Sequence, residues 1–372
     1  MSGKLFTPGP LTTSDEVKSS MLYDYGSRDE DFLHIVKTVR DKITSLACVK
    51  SNMNNEFTTV LMQGSGTFSV EATLNSCIPK RDINNKLLVI VNGSYGKRML
   101  TIAKKMEICT EILEFDETKC IDITMVKETL SADKNIKYVS MIHHETSTGN
   151  MNDVSSIGKM LRDKNITFIV DSMSAFGAVD IDVYEDGIDF LVSSANKCIE
   201  GVPGFAYAIC NKTKLLQSNH STSLSLDLLD QWNNFEKTGQ FRFTPPTHTI
   251  VAFNKAITDY EKQGGLNARI EKYKKHYSVL YSGMIKMGFV PFLPVNMQGY
   301  FITSFLYPNE NFDFTSFYNH LKDNGLVIYP GKTTNIPSFR IGNIGNLYLS
   351  DIEKLLVTIH EYMDKNYLKS LL

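Results

Sequence analysis

The stretch VSSANKCIEGVPGF, residues 192–205, sets the reading of the whole chain. The apolar run Phe190-Leu191-Val192 gives way to small polar residues and then to a lone lysine, Lys197. A turn follows in which Gly201 and Gly204 stand on either side of Pro203. A strand that ends in small residues and delivers one amine into a glycine-lined space suits imine chemistry, because bulky neighbours would block a carbonyl from approaching the amine. Taken alone, the same pattern describes a solvated lysine beside a turn. The flanking sequence decides between them.

Upstream, Val60-Leu61-Met62 reads as a short strand, Gln63-Gly64-Ser65-Gly66-Thr67 as a tight loop, and residues 68–78 as the helix it opens. Such a loop exposes backbone N–H groups at the positive end of a helix dipole, and Ser65 and Thr67 add hydroxyls, so a phosphate fits there. No Gly-Lys-Ser/Thr follows, and Ser69 stands where a dinucleotide fingerprint has its third glycine. An ordinary strand-to-helix turn satisfies the segment equally well. Three more strand-then-loop units follow. Residues 86–91 (KLLVIV) end in NGSYG with Tyr95 at the mouth, 137–142 (KYVSMI) end in HHETSTG, and 166–170 (ITFIV) end in Asp171-Ser172. Val154, Ile157 and Leu161 make the stripe of a crossover helix between the last two. Short apolar strands without clean alternation, interleaved with helices, predict a largely parallel sheet covered on both faces. Ligands of such sheets sit beyond the strand C-terminal ends, which is where Tyr95, Thr146, Asp171 and Lys197 fall.

A carboxylate directly after a buried strand needs a cationic or hydrogen-bonding partner. For Asp171 that partner is either a local backbone group or a protonated heterocyclic nitrogen. A phosphate loop, a stacking aromatic, an acid for a ring nitrogen and an imine lysine together describe a pyridoxal-phosphate site.

At 372 residues the chain is long enough for a large unit plus a smaller one. Its net charge of −2, with acids and bases interspersed, leaves no footprint for nucleic acid or an anionic membrane. No apolar run approaches a membrane span, and MSGKLFTPGP lacks a signal-peptide core. The six cysteines show no CxxC spacing, so reduced thiols in a cytoplasmic protein are expected. His143, His144 and Glu145 do not make a metal spacing, and Cys198 reads as an inert buried thiol. The C-terminal part reads as a small α/β unit. It has a helix over 266–287 (Ile270, Tyr273, Tyr277, Leu280, Met284 on one face), strands near 300–305 and 326–329, and a closing helix over 350–363.

Longer strings then carry a resemblance. TPGPLTT (7–13), QGSGTFSVEA (63–72), NGSYGKRM (92–99), VDSMSAFGA (170–178), NKCIEGVPGF (196–205), SLSLDLLDQW (223–232), KTGQFRFTPPTH (237–248), YPGK (329–332) and SFRIGNIG (338–345) run nearly end to end. The chain resembles the class V aminotransferases of fold type I, and among them those that take 2-aminoethylphosphonate and pyruvate. The resemblance implies an α/β fold with a mostly parallel seven-stranded sheet in a large pyridoxal-phosphate-binding domain, residues 15–255. The small domain is discontinuous, residues 1–14 and 256–372. It implies pyridoxal 5'-phosphate as cofactor and a ping-pong transfer that yields phosphonoacetaldehyde and L-alanine in phosphonate metabolism. Lys197 becomes the Schiff-base lysine, Asp171 the partner of the ring nitrogen and Tyr95 the stacking ring. Ser65, Gly66 and Thr67 become the phosphate cradle, and Thr146 a hydrogen-bonding partner near the ring hydroxyl. Thr247 is implied to reach the phosphate in a neighbouring subunit, which makes a homodimer with composite sites. Arg340 is implied to grip the substrate's acid group, with Arg28 as a second contact that could equally pair with its acidic neighbours. A class V enzyme acting on serine, alanine or glyoxylate would share Lys197, Asp171 and Arg340, and a non-catalytic cofactor-binding protein is the reading outside enzymes.

Overall fold

The computed structural model describes residues 3–333 and 336–368, so residues 1–2, 334–335 and 369–372 of the expected small domain lie outside it. Seven strands form the main sheet: β1 (Phe57–Gln63), β2 (Lys86–Val91), β3 (Thr110–Glu114), β4 (Ile136–Ile142), β5 (Thr167–Asp171), β6 (Phe190–Ser194) and β7 (Phe205–Asn211). Their order is β1-β7-β6-β5-β4-β2-β3. All neighbours pair in parallel except β7, which runs antiparallel to both β1 and β6. The expected mostly parallel, seven-stranded α/β sheet is therefore present.

The central strands are apolar throughout because helices cover both faces; β1, β2, β6 and β7 are buried along nearly their whole length. Sequence reading passed over β3 and β7. The first is an edge strand, TEILE, largely exposed and charged enough to look like a loop. The second, FAYAICN, follows the Lys197 turn so closely that it merged with it. One core packs the sheet against its helices and reaches from Val17 to Tyr260.

A second core, from Phe6 and Leu280 to Met363, lies under the helices Gly265–Lys286, Phe314–Asp323 and Leu349–Met363. They pack on an antiparallel sheet of Ile302–Leu306, Ser338–Gly342 and Tyr329–Pro330. The single strand expected over 326–329 is split. Leu326–Val327 pairs in parallel with Lys4–Leu5, while Tyr329–Pro330 joins the other sheet. A small third core, including Leu11, Cys198, Tyr273, Phe301 and Ile344, joins the chain's N-terminal segment, the Lys197 turn and the C-terminal unit.

The helix Val154–Arg162 docks on β5 through Gly158, where an added Cβ would run into the carbonyl oxygen of Asp186. That oxygen belongs to a backbone that cannot swing away as a side chain would. Gly158→Ala is expected to destabilise the protein by about 1–3 kcal/mol through overpacking. Urea unfolding followed by circular dichroism measures it, and an unchanged midpoint would show that the Asp186 loop gives way.

Candidate active site

Parallel strands put their C-terminal ends on one edge of the sheet, and the site is assembled there. β1 runs into the helix Gly66–Cys77, with Ser65 as N-cap. β2 runs into Ser94–Lys105, whose second residue is Tyr95. β4 leads to Thr146, Asp171 closes β5, and β6 leads to Lys197. These ends enclose a cavity of about 220 Å³ that is lined by Ser65, Gly66, Thr67, Tyr95, Thr146, Asp171 and Lys197.

The Lys197 amine donates to the Pro8 carbonyl at 2.7 Å. The N-terminal strap thus crosses directly over it. Gly9, at φ +129°, lies so close that a Cβ there would meet Nζ, so this position needs glycine on both counts. Burial pulls the Lys197 pKa down to about 8, and the Arg340 charge adds to that; Asp171 opposes it. Across the cavity, burial pushes Asp171 up to about 6, reinforced by Glu145, against a 2.9 Å bond from the Met173 amide. Among the described residues no cation lies within ion-pair distance of Asp171. It is a desolvated carboxylate facing open volume, with Lys197 and Arg98 favouring its charge without pairing with it.

Two helices aim their N-termini at this region, and they differ. The end of Ser94–Lys105 is filled by the fully buried Glu145, whose carboxylate accepts the amides of Tyr95 and Gly96 at 3.2 Å. Burial raises the Glu145 pKa and these bonds oppose the shift. Among the described residues no carboxylate caps the end of Gly66–Cys77, and Ser65 makes no side-chain capping bond; the Phe68 amide bonds the Ser65 carbonyl, while Gly66 and Thr67 line the cavity. A Cβ at Gly66 would meet the sulfur and methyl end of the Met173 side chain. Thr146 Oγ1 lies 3.0 Å from Ser174 Oγ, which also bonds His144 Nδ1 at 2.8 Å.

Arg340 is buried beside the cavity. Its Nη1 donates to the Thr146 carbonyl at 3.2 Å and its Nε to that of Pro330 at 3.1 Å. No ion pair with an Asp or Glu holds it among the described residues. Thr247 opens the helix Thr247–Lys262 and does not line this cavity. Arg28 is exposed ahead of the helix Glu30–Ala47, away from the cavity lining. Cys198 is buried, its thiol pushed up to about 12 by burial, as an inert thiol should be.

Sequence reasoning missed Glu145, Arg98 and Glu200. Arg98 stands over the Tyr95 ring at 4.8 Å and donates from Nη1 to Thr67 Oγ1 at 3.3 Å; its position one helical turn after Tyr95 was the available signal. Glu200 sits three residues past Lys197 in a left-handed conformation, φ +65°. It receives Arg269 at 2.6 Å, Lys272 at 3.0 Å and the Tyr273 hydroxyl at 2.7 Å, and its amide bonds the Lys197 carbonyl at 2.7 Å.

Comparison with known proteins adds the following. The family model described as Aminotransferase class-V matches residues 16–366. The chain is 45% identical, over 95% of its own length and 96% of the other's, to a 2-aminoethylphosphonate–pyruvate transaminase of Bacillus cereus. It is 44% identical, over 97% of its length, to a bifunctional phosphonoacetaldehyde hydrolase/aminoethylphosphonate transaminase of Clostridioides difficile, and it spans only 56% of that protein. Alanine–glyoxylate aminotransferase from Nostoc superposes with a TM-score of 0.88 at 18% identity, over 98% of this chain and 96% of that one, a likeness that shows the fold alone. Among the described residues no helix is long and apolar enough to cross a membrane.

The depressed Lys197 pKa fixes the sign of a stability effect. Below about pH 8 the native chain carries a charged, desolvated amine. Between about 8 and 10.5 the unfolded chain holds a proton that the native one has lost, so stability rises with pH. In ligand-free protein, Lys197→Met should therefore be more stable than wild type at pH 7, by up to about 3 kcal/mol. The advantage should shrink toward pH 10. Denaturant unfolding at the two pH values checks this, and a pH-independent difference would refute it.

Proposed function

This chain belongs to the class V aminotransferase family, and from that premise we propose that it moves the amino group of 2-aminoethylphosphonate to pyruvate, giving phosphonoacetaldehyde and L-alanine, with pyridoxal 5'-phosphate as cofactor. The observation that carries the substrate assignment is the 45% identity, over nearly the full length of both chains, to a transaminase of that name.

The donor set fits the cofactor. The open helix N-terminus with Ser65, Gly66 and Thr67 suits its phosphate, and the desolvated Asp171 suits its ring nitrogen. Tyr95 offers a ring face, Thr146 a hydroxyl and Lys197 an amine. When bound, pyridoxal phosphate supplies an aldehyde that takes up the amino group and a ring that acidifies the carbon bearing it.

The chain's own residues do the rest. Lys197 Nζ, lowered to about 8, holds or gives up a proton readily near neutral pH, as a group shuttling protons must. The Pro8 carbonyl orients that amine, and the strap shields it from water. Asp171 keeps a positive charge on the heterocycle favourable in a dry environment. Arg340 presents a fixed fork to the acid group of either substrate, which a point-charge lysine would match less well. Thr247 is assigned to the phosphate of a second subunit's site, which makes the enzyme a homodimer, and Arg28 is assigned to a contact with the substrate. Reduced buried thiols agree with a cytoplasmic location.

The test is an absorbance scan of the purified protein. 2-Aminoethylphosphonate should bleach the cofactor's visible band, pyruvate should restore it, and L-alanine should bleach it too. Bleaching by L-serine but not by the phosphonate would move the substrate assignment to another class V reaction. Lys197→Ala should fold yet lose turnover altogether. Arg340→Lys should lower kcat/KM for both substrates by about 10-fold or more; a loss confined to the phosphonate would reject a shared acid-group site.

A further inference from the structure

The YPGK segment, whose lysine the mechanism leaves unused, belongs to the same hairpin as Arg340. Tyr329–Pro330 pairs with Ser338–Gly342, with Tyr329 opposite Arg340 and Pro330 opposite Phe339. Residues 331–333, which follow Pro330, are tied down. The Gly331 amide bonds the Ser338 carbonyl at 2.8 Å, and a Cβ on Gly331 would collide with that serine. Thr333 Oγ1 lies 2.9 Å from Ser338 Oγ. Ser94 Oγ donates to the Lys332 carbonyl at 3.1 Å, which fastens this segment to the helix that carries Tyr95. The side chain that emerges places Nζ 4.1 Å from the Tyr95 ring centroid.

Three cations therefore converge on one ring: Lys332, Arg98 and Arg340. Burial disfavours the charge on Arg340, and the Tyr95 phenol is the foremost group favouring it. Among the described residues none of the three lies within ion-pair distance of an Asp or Glu. Arg340 is buried, Lys332 half-buried and Arg98 exposed, and like charges gathered without an acidic partner repel one another until an anion joins them. Arg98 leans toward Thr67 and the phosphate cradle, which leaves Lys332 and Arg340 for a second anion.

We propose that Lys332 is the second cation of the substrate's acid-group site and the residue that distinguishes a phosphonate from a carboxylate; this rests on the phosphonate-transaminase reading above. One guanidinium fork satisfies two oxygens and one unit of charge, all that a carboxylate offers. A phosphonate dianion has a third oxygen and a second charge. A lysine, a point charge on a flexible stem, can meet these without fixed geometry. When a carboxylate occupies the site, Lys332 stays on the Tyr95 ring. One site thus serves both substrates with one fixed and one optional contact.

The test uses the holoenzyme with Lys332→Ala and Lys332→Arg. For Lys332→Ala, KM for 2-aminoethylphosphonate should rise about 10- to 100-fold, the size of a lost charged hydrogen bond. KM for L-alanine and pyruvate should move less than about threefold, and Lys332→Arg should recover much of the loss. An amine-free pair gives an independent readout. The inhibition constant of ethylphosphonate against L-alanine turnover should rise by a similar factor, while that of propionate holds. Equal losses for phosphonate and carboxylate, or none for either, overturn the proposal. A wild type inactive with 2-aminoethylphosphonate would sink the assigned function instead, and the ethylphosphonate–propionate comparison would still decide the role of Lys332.

Discussion

Everything at the active edge hangs on one buried carboxylate. Glu200 is 8% exposed and takes a guanidinium, an ammonium and a phenol at once. Through them it ties the Lys197 turn to the long helix Gly265–Lys286. Lys272 and Tyr273 continue to Gly345, at the end of the segment that carries Arg340. Arg269 also donates to the Cys198 carbonyl at 2.7 Å. Ion pairs this deep gain little net stability, because desolvation consumes most of the attraction. What they supply is position, since each partner is committed to one geometry by hydrogen bonds that water cannot replace. A left-handed glutamate between the reactive amine and a turn is affordable only under such restraint.

That restraint lets the site hold charges in states they would not otherwise keep. An amine near 8 and a carboxyl near 6 stand in one cavity without forming an ion pair, because burial opposes the charge on each more than their mutual attraction favours it. Glu145 contributes from behind. It saturates one helix terminus, leaves the other open, and sets a like charge near Asp171. The asymmetry between two neighbouring helix ends, one filled from within the chain and one empty, gives the cavity its polarity.

Much of this was legible in the sequence, for physical reasons. A strand buried on both faces must be apolar along its length, so β2, β4, β5 and β6 announce themselves, and with them the edge where Tyr95, Thr146, Asp171 and Lys197 gather. The edge strand β3 is charged because it must resist pairing with other chains, and that hid it. Glu145, Glu200 and Lys332 were illegible for a different reason. Each acts on groups distant in sequence, and a glutamate or lysine in a loop looks solvated until its partners are known. Gly331 is intelligible only once the backbone of Ser338 is seen against it.

The strap over Lys197 has a consequence for biosynthesis. Its anchor, Lys4–Leu5, pairs with Leu326–Val327, almost the whole chain away. During translation Lys4 and Leu5 must wait unpaired while the entire main sheet is made, since their partner strand does not yet exist. The large core can condense around β1 to β7 early, but the reactive amine stays uncovered until the C-terminal unit has closed on the N-terminus. A contact of such high sequence separation forms late and slowly. The lysine's enclosure thus forms after the main sheet, and a ribosome-stalled fragment ending before residue 326 would present the sheet without a sheltered amine.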